Sequence, residues 1–380
     1  VRIVVLANDV VPGMGMPVAA PGLRAWGLAE GLRGLGHEVL LAVDAWAVGQ
    51  AWRGAVPPPR PRGCVVLAPR QVSTLARTRG FDRLVITNSN HIDRIGDLGR
   101  CQLVYDFFAP KMLELAENVG RADQEAAMAS LRERKLQALG RSSAIIVNGA
   151  KKLDYAREWA QLAGRAEVPM AVVNPGLPPL APDPAPTDRL QIIVSGYLQP
   201  WSRPGAWVEA VLPLMDAGLV DLHLIVGEHW ASRYDSARAS DLIDRLATHP
   251  RAVRHGLLDF EDFRRLLSRC HVNVDVFERN PERELAMVTR SLVALSAGLP
   301  TMHVDFTEVS PWIAEHDAGW LVPEGDVTSV REILRSVAVD RSLLDAKRAG
   351  ARSIAENITE PRVAAAPLDR LLRRGDETSA

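Results

Sequence analysis

Cysteine is scarce: Cys64, Cys101 and Cys270 are odd in number, far apart and without metal-ligand spacing. Neither a disulfide framework nor a zinc site is expected, and a reducing cytosol fits the chain. Long apolar runs are missing too. None approaches the roughly 20 residues that a membrane-spanning helix requires. No charge of one sign dominates, because 45 Lys and Arg stand against 46 Asp and Glu, so no net field draws the whole molecule to nucleic acid or anionic lipid. There is no GxGxxG after a strand and no Walker lysine, which argues against an NAD enzyme or an ATPase. No DxD pair offers ligands for a metal bridging a diphosphate. Val1 to Ala7 read as a buried strand without a basic n-region, so no signal peptide is expected and the predicted location is cytoplasmic.

What is present is the balance of an ordinary globular protein, 47% hydrophobic and 24% charged residues, in a chain of 380 residues that exceeds one core. Short β-branched runs alternate with helical patterns. Strands are predicted near Val1–Ala7, Glu38–Asp44, Val65–Ala68, Arg83–Asn88, Leu103–Asp106 and Ala144–Asn148. Runs such as VRIVVLA and AIIVN are continuously apolar, as in parallel strands covered on both faces. Between the first two, Pro21 opens a helix, Ala25, Leu28, Leu32 and Leu35 form its buried stripe, and Gly36 closes it. From Asn174 to Arg189 the chain holds six prolines and must be extended. The alternation then restarts near Leu190–Ser195, Leu222–Val226, Ala252–His255, His271–Val276, Thr301–Val304 and Gly319–Val322. The expected fold class is therefore α/β, with two Rossmann-like doubly wound parallel-sheet domains facing a cleft. Their predicted bounds are 1–175 and 190–355, joined by a proline-rich linker at 176–189 and followed by a helical segment and tail at 356–380, with breaks at Pro361 and near Pro367.

In open parallel sheets ligands bind beyond the carboxyl ends of the strands. The loop after the first strand holds Gly13 and Gly15 just before a helix, where backbone can approach a phosphate or sugar; the alternative is a glycine loop without a ligand. The densest polar cluster is FERNPERELAMVTRSLVALSAGLP, from Phe277 to Pro300. Arg279, Arg283, Glu284, Thr289 and Arg290 crowd a strand-to-helix junction, and an arginine fork with a threonine hydroxyl suits a diphosphate. A solvated helix face with ion pairs is the competing reading. In the first half, His91 and Asp106 stand at strand ends as candidate general bases or sugar ligands, although a lone histidine is more often structural. Trp201 and Trp230 follow strands and are candidate stacking platforms.

Four stretches in order, SGYLQPWSRPGAW, LIVGEHW, ERELAMVTRSLVALSAGLPT and AGWLVPEGD, resemble the C-terminal domain of family-four-like (group 1) GT-B glycosyltransferases. LVYDFFAPKMLELAE is similar to an acidic segment of their N-terminal domain. The resemblance implies a nucleotide diphosphate-sugar co-substrate held by the second domain, no other cofactor, no metal, and an acceptor held by the first: a small molecule, a lipid-linked species or a glycan. It implies that Ser195 and Gly196 touch the donor phosphates and that Arg203 fills a basic position. Glu228 and His229 would follow the next strand, and backbone from His255 to Leu258, Leu257 included, would clasp the base. Thr289 and Arg290 match a TR pair in one branch, and Glu324 and Asp326 sit in the VPEGD turn. The sequence departs from the better-known members at their paired glutamates, whose places hold Leu285 and Val293. Either Glu284 substitutes, or the donor is held differently, or the chemistry is altered.

The reaction so implied moves a sugar from a nucleotide diphosphate such as UDP or GDP to an acceptor hydroxyl, with retention of configuration. A nucleotide-sugar 2-epimerase of the same fold, and a catalytically silent nucleotide-sugar-binding paralogue, are the alternatives.

Overall fold

The apolar runs become strands nearly residue for residue. A computed structural model describes residues 1–117, 123–184, 187–197, 199, 201–203, 207–231 and 243–377. The residues gather into two compact units, one holding Val1–Leu177 with the chain from Thr359 on, the other Pro178–Ile358.

The first unit is built on β1 (Arg2–Ala7), β2 (Glu38–Asp44), β3 (Cys64–Leu67), β4 (Arg83–Ile86), β5 (Gln102–Asp106), β6 (Ala144–Val147) and β7 (Met170–Val172). Their order is β3-β2-β1-β4-β5-β6-β7, every pairing is parallel, and β1 sits inside with Ile3 beside both Val39 and Arg83. Core side chains cover both faces of this sheet, which is why VRIVVLA shows no alternation. The predicted helix spans Ala20–Gly34 and buries Ala25, Leu28 and Leu32. Two glycines let it lie unusually close to its neighbours. A Cβ on Gly27 would fall 2.2 Å from the Gly176 carbonyl oxygen, and one on Gly31 2.1 Å from that of Pro361.

The second sheet holds β8 (Leu190–Tyr197), β9 (Val220–Gly227), β10 (Ala252–Arg254), β11 (Val272–Asp275), β12 (Thr301–Val304) and β13 (Gly319–Val322), in the order β10-β9-β8-β11-β12-β13 and again all parallel. In both sheets the order reverses next to the first strand of the unit, the place where doubly wound sheets open a crevice at their carboxyl ends.

Two features differ from expectation. β7 went unread, because three half-buried residues at a sheet edge leave no periodicity to see. The expected break near Pro367 is absent: one helix runs Pro361–Glu377 with that proline inside it. Pro367 forfeits a single backbone bond, while Ala364, Ala365, Leu368 and Leu372 are buried against the first unit. Burial of that face outweighs the lost bond. His37 Nε2 lies 2.7 Å from Asp369 Oδ1 and fastens the same helix. Within the extended segment, residues 185 and 186 lie outside the described residues.

Candidate functional site

β8 ends in Ser195, Gly196 and Tyr197, and a pocket of about 40 Å³ opens there, lined among others by Ser195, Gly196, Ser202, Trp207, Asp275 and Arg290. Gly196 has φ +135, and a Cβ on it would lie 2.6 Å from Arg290 Nη1. Only glycine suits both that backbone and that approach. Arg290 is the second residue of the helix Thr289–Ser296. Its Nε donates to Asp275 Oδ1 at 2.7 Å, its Nη2 donates to Ser202 Oγ at 2.8 Å, and the guanidinium lies 5.5 Å from the centre of the Phe277 ring. Nη1 makes no hydrogen bond among the described residues. In the same lining, the Ser195 hydroxyl is buried and lacks a hydrogen-bond partner among the described residues, a state that costs about 1–3 kcal/mol unless something fills it. Residues 198, 200 and 204–206 of the same stretch lie outside the described residues.

The structure does not bring the expected arginine fork together. Arg283 is buried, donates to Glu282 and lies 5.4 Å from the Phe277 ring centre. Arg279 is exposed, its side chain bound to Glu284 and its backbone N–H donating to Glu324 Oε1 at 2.7 Å. The Glu284 carboxylate is thus engaged by Arg279. Arg203 stands 3.7 Å from Glu278 at the surface. The Thr289 hydroxyl faces its own backbone, 3.4 Å from the Met287 carbonyl. Asp326 caps the helix Val327–Val339 by accepting from Ser329 N at 2.9 Å, and its hydrogen bonds from Ser329 hold its carboxyl below the usual range. Trp201 is buried, so its ring is not an open platform.

Around β9 the arrangement is aromatic. The His229 ring meets Tyr197 edge-on at 5.0 Å and Trp230 at 4.8 Å, and Glu228 precedes them in the same loop. Leu257 covers the end of β9, where a Cβ on Gly227 would fall 2.8 Å from Leu257 Cγ. His255 stacks on His223 with 3.0 Å between Nε2 and Nδ1, and burial pushes both rings below the ordinary histidine pKa.

In the first unit, Gly13 and Gly15 take φ +83 and +67 after β1, with Pro61 and Pro59 against them. Asp106 closes β5 and is only 1% exposed. Arg24 grips it with two prongs, Nε to Oδ2 at 2.8 Å and Nη2 to Oδ1 at 3.1 Å, while Arg24 Nη1 donates to the carbonyls of Val173 and Asn174. Burial pushes the Asp106 carboxyl up, with Arg24 and Lys152 opposing. A carboxylate so enclosed does not reach an acceptor hydroxyl, and the geometry gives Asp106 a structural place. His91 stands in the short 3-10 helix Ser89–Arg94, its Nε2 2.7 Å from Asp44 Oδ2, and its Nδ1 is buried without a partner among the described residues. Burial lifts the Asp44 carboxyl, but the adjacent His91 ring and the Trp46 N–H bring it below its ordinary value. Asp44, Asp275 and Ser202 escaped the sequence reading. The signal available was a carboxylate ending an apolar strand, EVLLAVD and VNVD.

Among the described residues no helix is long and apolar enough to cross a membrane, and no group of three or more His, Cys, Asp or Glu is placed to hold a metal ion.

Two parallel doubly wound units of this order define the GT-B class of fold, and solved structures match over essentially the whole chain. Sucrose-phosphate synthase from Thermosynechococcus elongatus is similar with a TM-score of 0.73 at 13% identity, covering 99% of each chain. HepE from Anabaena, solved with UDP and glucose, gives 0.65 at 15% identity over 98% of this chain and 99% of its own. WaaG, a glycosyltransferase involved in lipopolysaccharide biosynthesis, gives 0.64 at 15% identity over 98% and 99%. No protein-family model matches the chain, and no curated protein matches it in sequence.

Proposed function

We propose that the protein is a glycosyltransferase of the group 1 type that holds a nucleotide diphosphate-sugar at the carboxyl end of β8. The reading rests on one observation above others: Ser195, whose buried hydroxyl lacks a partner among the described residues, and Arg290, whose Nη1 lies over Gly196 without a hydrogen bond among the described residues, line a single pocket. A donor hydroxyl and a fixed guanidinium together suit the oxygens of a diphosphate. HepE, of similar fold, was solved with UDP and glucose, which supports a uridine nucleotide as the first to try.

In the reaction so read, the bond between the anomeric carbon and the diphosphate oxygen breaks and a bond to the acceptor oxygen forms. The acceptor attacks on the face from which the diphosphate departs, so the configuration is retained, and its proton leaves on the diphosphate without a dedicated base. Arg290 stabilises the charge that gathers on the leaving group. No metal ligand is assigned. In the first unit, the buried Nδ1 of His91, which lacks a hydrogen-bond partner among the described residues, is a candidate to bind a sugar hydroxyl where the chain opens to admit one.

The test is calorimetric titration with UDP, GDP, ADP and dTDP, with and without EDTA, followed by turnover of the matching nucleotide-sugar with and without acceptors. Chelator-insensitive binding of one diphosphate and acceptor-dependent release of it support the assignment. Conversion of the donor alone would point to an epimerase, and no binding would remove the pocket from the reading.

A further inference from the structure

Arg290 takes its orientation from a chain of side chains that runs away from the pocket into the core of the second unit. Asp275, the last residue of β11, accepts Arg290 Nε on Oδ1 at 2.7 Å and the Ser291 hydroxyl on Oδ2. Ser291 is fully buried and has one hydroxyl hydrogen, committed to that carboxylate. At its 3.2 Å contact with His303 Nδ1 it must therefore accept, which puts the ring hydrogen on Nδ1. Burial pushes His303 down to about 4, so the ring is neutral at pH 7 and its bare Nε2 accepts the Thr307 hydroxyl at 2.9 Å. Backbone register holds the chain in place, since Asp275 and His303 are direct partners across β11 and β12.

The same chain contains its own comparison. Asp106 has both oxygens available to Arg24, and the two form a closed fork through Nε and Nη2. Asp275 is oriented with Oδ2 on the Ser291 hydroxyl, and in that orientation Arg290 reaches it through Nε alone. That leaves Nη2 to Ser202 and Nη1 over Gly196.

We propose that Ser291 and His303 are positioning residues for the anion pocket: Ser291, itself held by His303, turns Asp275 Oδ2 toward the core, away from a closed fork, and so keeps the outer edge of Arg290 turned toward a diphosphate. The inference rests on the reading of that pocket as a nucleoside diphosphate site, and the experiment separates the two. The unaltered protein is titrated with UDP, GDP, ADP and dTDP, and the diphosphate that binds is paired with its monophosphate. The readout is the ratio of the two affinities within one preparation, because calorimetric stoichiometry then counts folded molecules and a partly unfolded variant changes the site number rather than the ratio.

Arg290→Ala is expected to lower the ratio by about 10- to 100-fold and Ser291→Ala by about 5- to 20-fold, while the double variant falls no further than Arg290→Ala, as residues acting through one another do. His303→Asn, whose amide N–H comes near the Nδ1 position, keeps the ratio within about two-fold, and His303→Leu behaves like Ser291→Ala. A ratio unchanged by Ser291→Ala but lowered by Arg290→Ala overturns the inference and leaves the diphosphate site standing. A ratio unchanged by both, or no diphosphate bound at all, overturns the site and the inference with it.

Discussion

Lys135 gives the most exacting test of how this chain tolerates buried charge. It lies in the helix Gln124–Arg141 and is buried, with Nζ 4.4 Å from the centre of the Phe107 ring, 4.6 Å from Trp159 and 5.5 Å from Tyr155. Nζ has no hydrogen-bond partner among the described residues. Burial pushes its pKa from 10.5 down to about 7, with Glu114 acting upward and Lys111 downward. Between those two values the unfolded chain binds a proton that the native chain does not, so the lysine's contribution to stability rises with pH across that window. Below about pH 7 both states are charged and the penalty is complete. At about 1.36 kcal/mol per unit the full span is worth roughly 4–5 kcal/mol, and the aromatic faces, which favour the ammonium by about 0.5–2 kcal/mol, reduce it to about 2–4.

Lys135→Met removes the charge at similar volume. Its stability advantage over the unaltered protein is expected to shrink by about 2–4 kcal/mol between pH 7 and pH 10.5. Urea unfolding of both proteins at matched pH, followed by tryptophan fluorescence and resolved into separate transitions if the two units melt apart, measures the difference. Subtraction matters because the buried thiols of Cys64, Cys101 and Cys270 and the Tyr105 phenol, all pushed up by burial, lose stability as pH rises. An advantage that stays constant with pH would mean that Lys135 keeps its proton throughout, and that the aromatic cage rather than burial sets its charge.

Other expectations follow from single contacts. Arg290→Ala should weaken diphosphate binding by about 1.5–3 kcal/mol in calorimetry, the loss of a charge-assisted hydrogen bond; unchanged affinity removes it from the site. Gly196→Ala places a methyl against the Arg290 guanidinium at a φ that only glycine accepts, so diphosphate affinity should fall by more than about ten-fold with the monophosphate less affected. Arg24→Met strands the Asp106 carboxylate and should cost about 3–5 kcal/mol of unfolding free energy, whereas Arg24→Met with Asp106→Leu should recover most of that loss. A double variant as unstable as the single one would show that the pair contributes more than mutual neutralisation.

Most of the architecture was legible because the strands are buried on both faces. An unbroken apolar run such as VRIVVLA has few other interpretations once helical patterns flank it. The elements that escaped were those whose stability is not local. β7 is held by a single neighbouring strand at the edge of its sheet. The helix through Pro367 persists because tertiary burial overrides a proline that would stop an isolated helix. The candidate site was legible in outline, with Ser195, Gly196 and Arg290 meeting in one pocket. The arginine fork was not, since Arg279 and Arg283 have local acidic partners in Glu284 and Glu282 that absorb them.

The reason runs deeper than those two arginines. Three strands, β2, β5 and β11, end in the same way, with an aspartate closing the strand, and nothing in the strands themselves tells which of Asp44, Asp106 and Asp275 keeps its partner open to a ligand. Their partners come from other elements: His91 from Ser89–Arg94, Arg24 from Ala20–Gly34 and Arg290 from Thr289–Ser296. Side-chain exposure then separates them. The Asp106 pair is sealed at 1% and 0% and the Asp44 pair nearly so at 4% and 1%, while Arg290 retains 21% beside an Asp275 at 5%. A sealed pair with two prongs serves the fold and spends its charge internally. An ion pair of which one oxygen is occupied from behind, and whose cation keeps an open edge, retains charge for a ligand. What distinguishes the candidate site is therefore not the aspartate or the arginine, but the serine that prevents them from closing on each other.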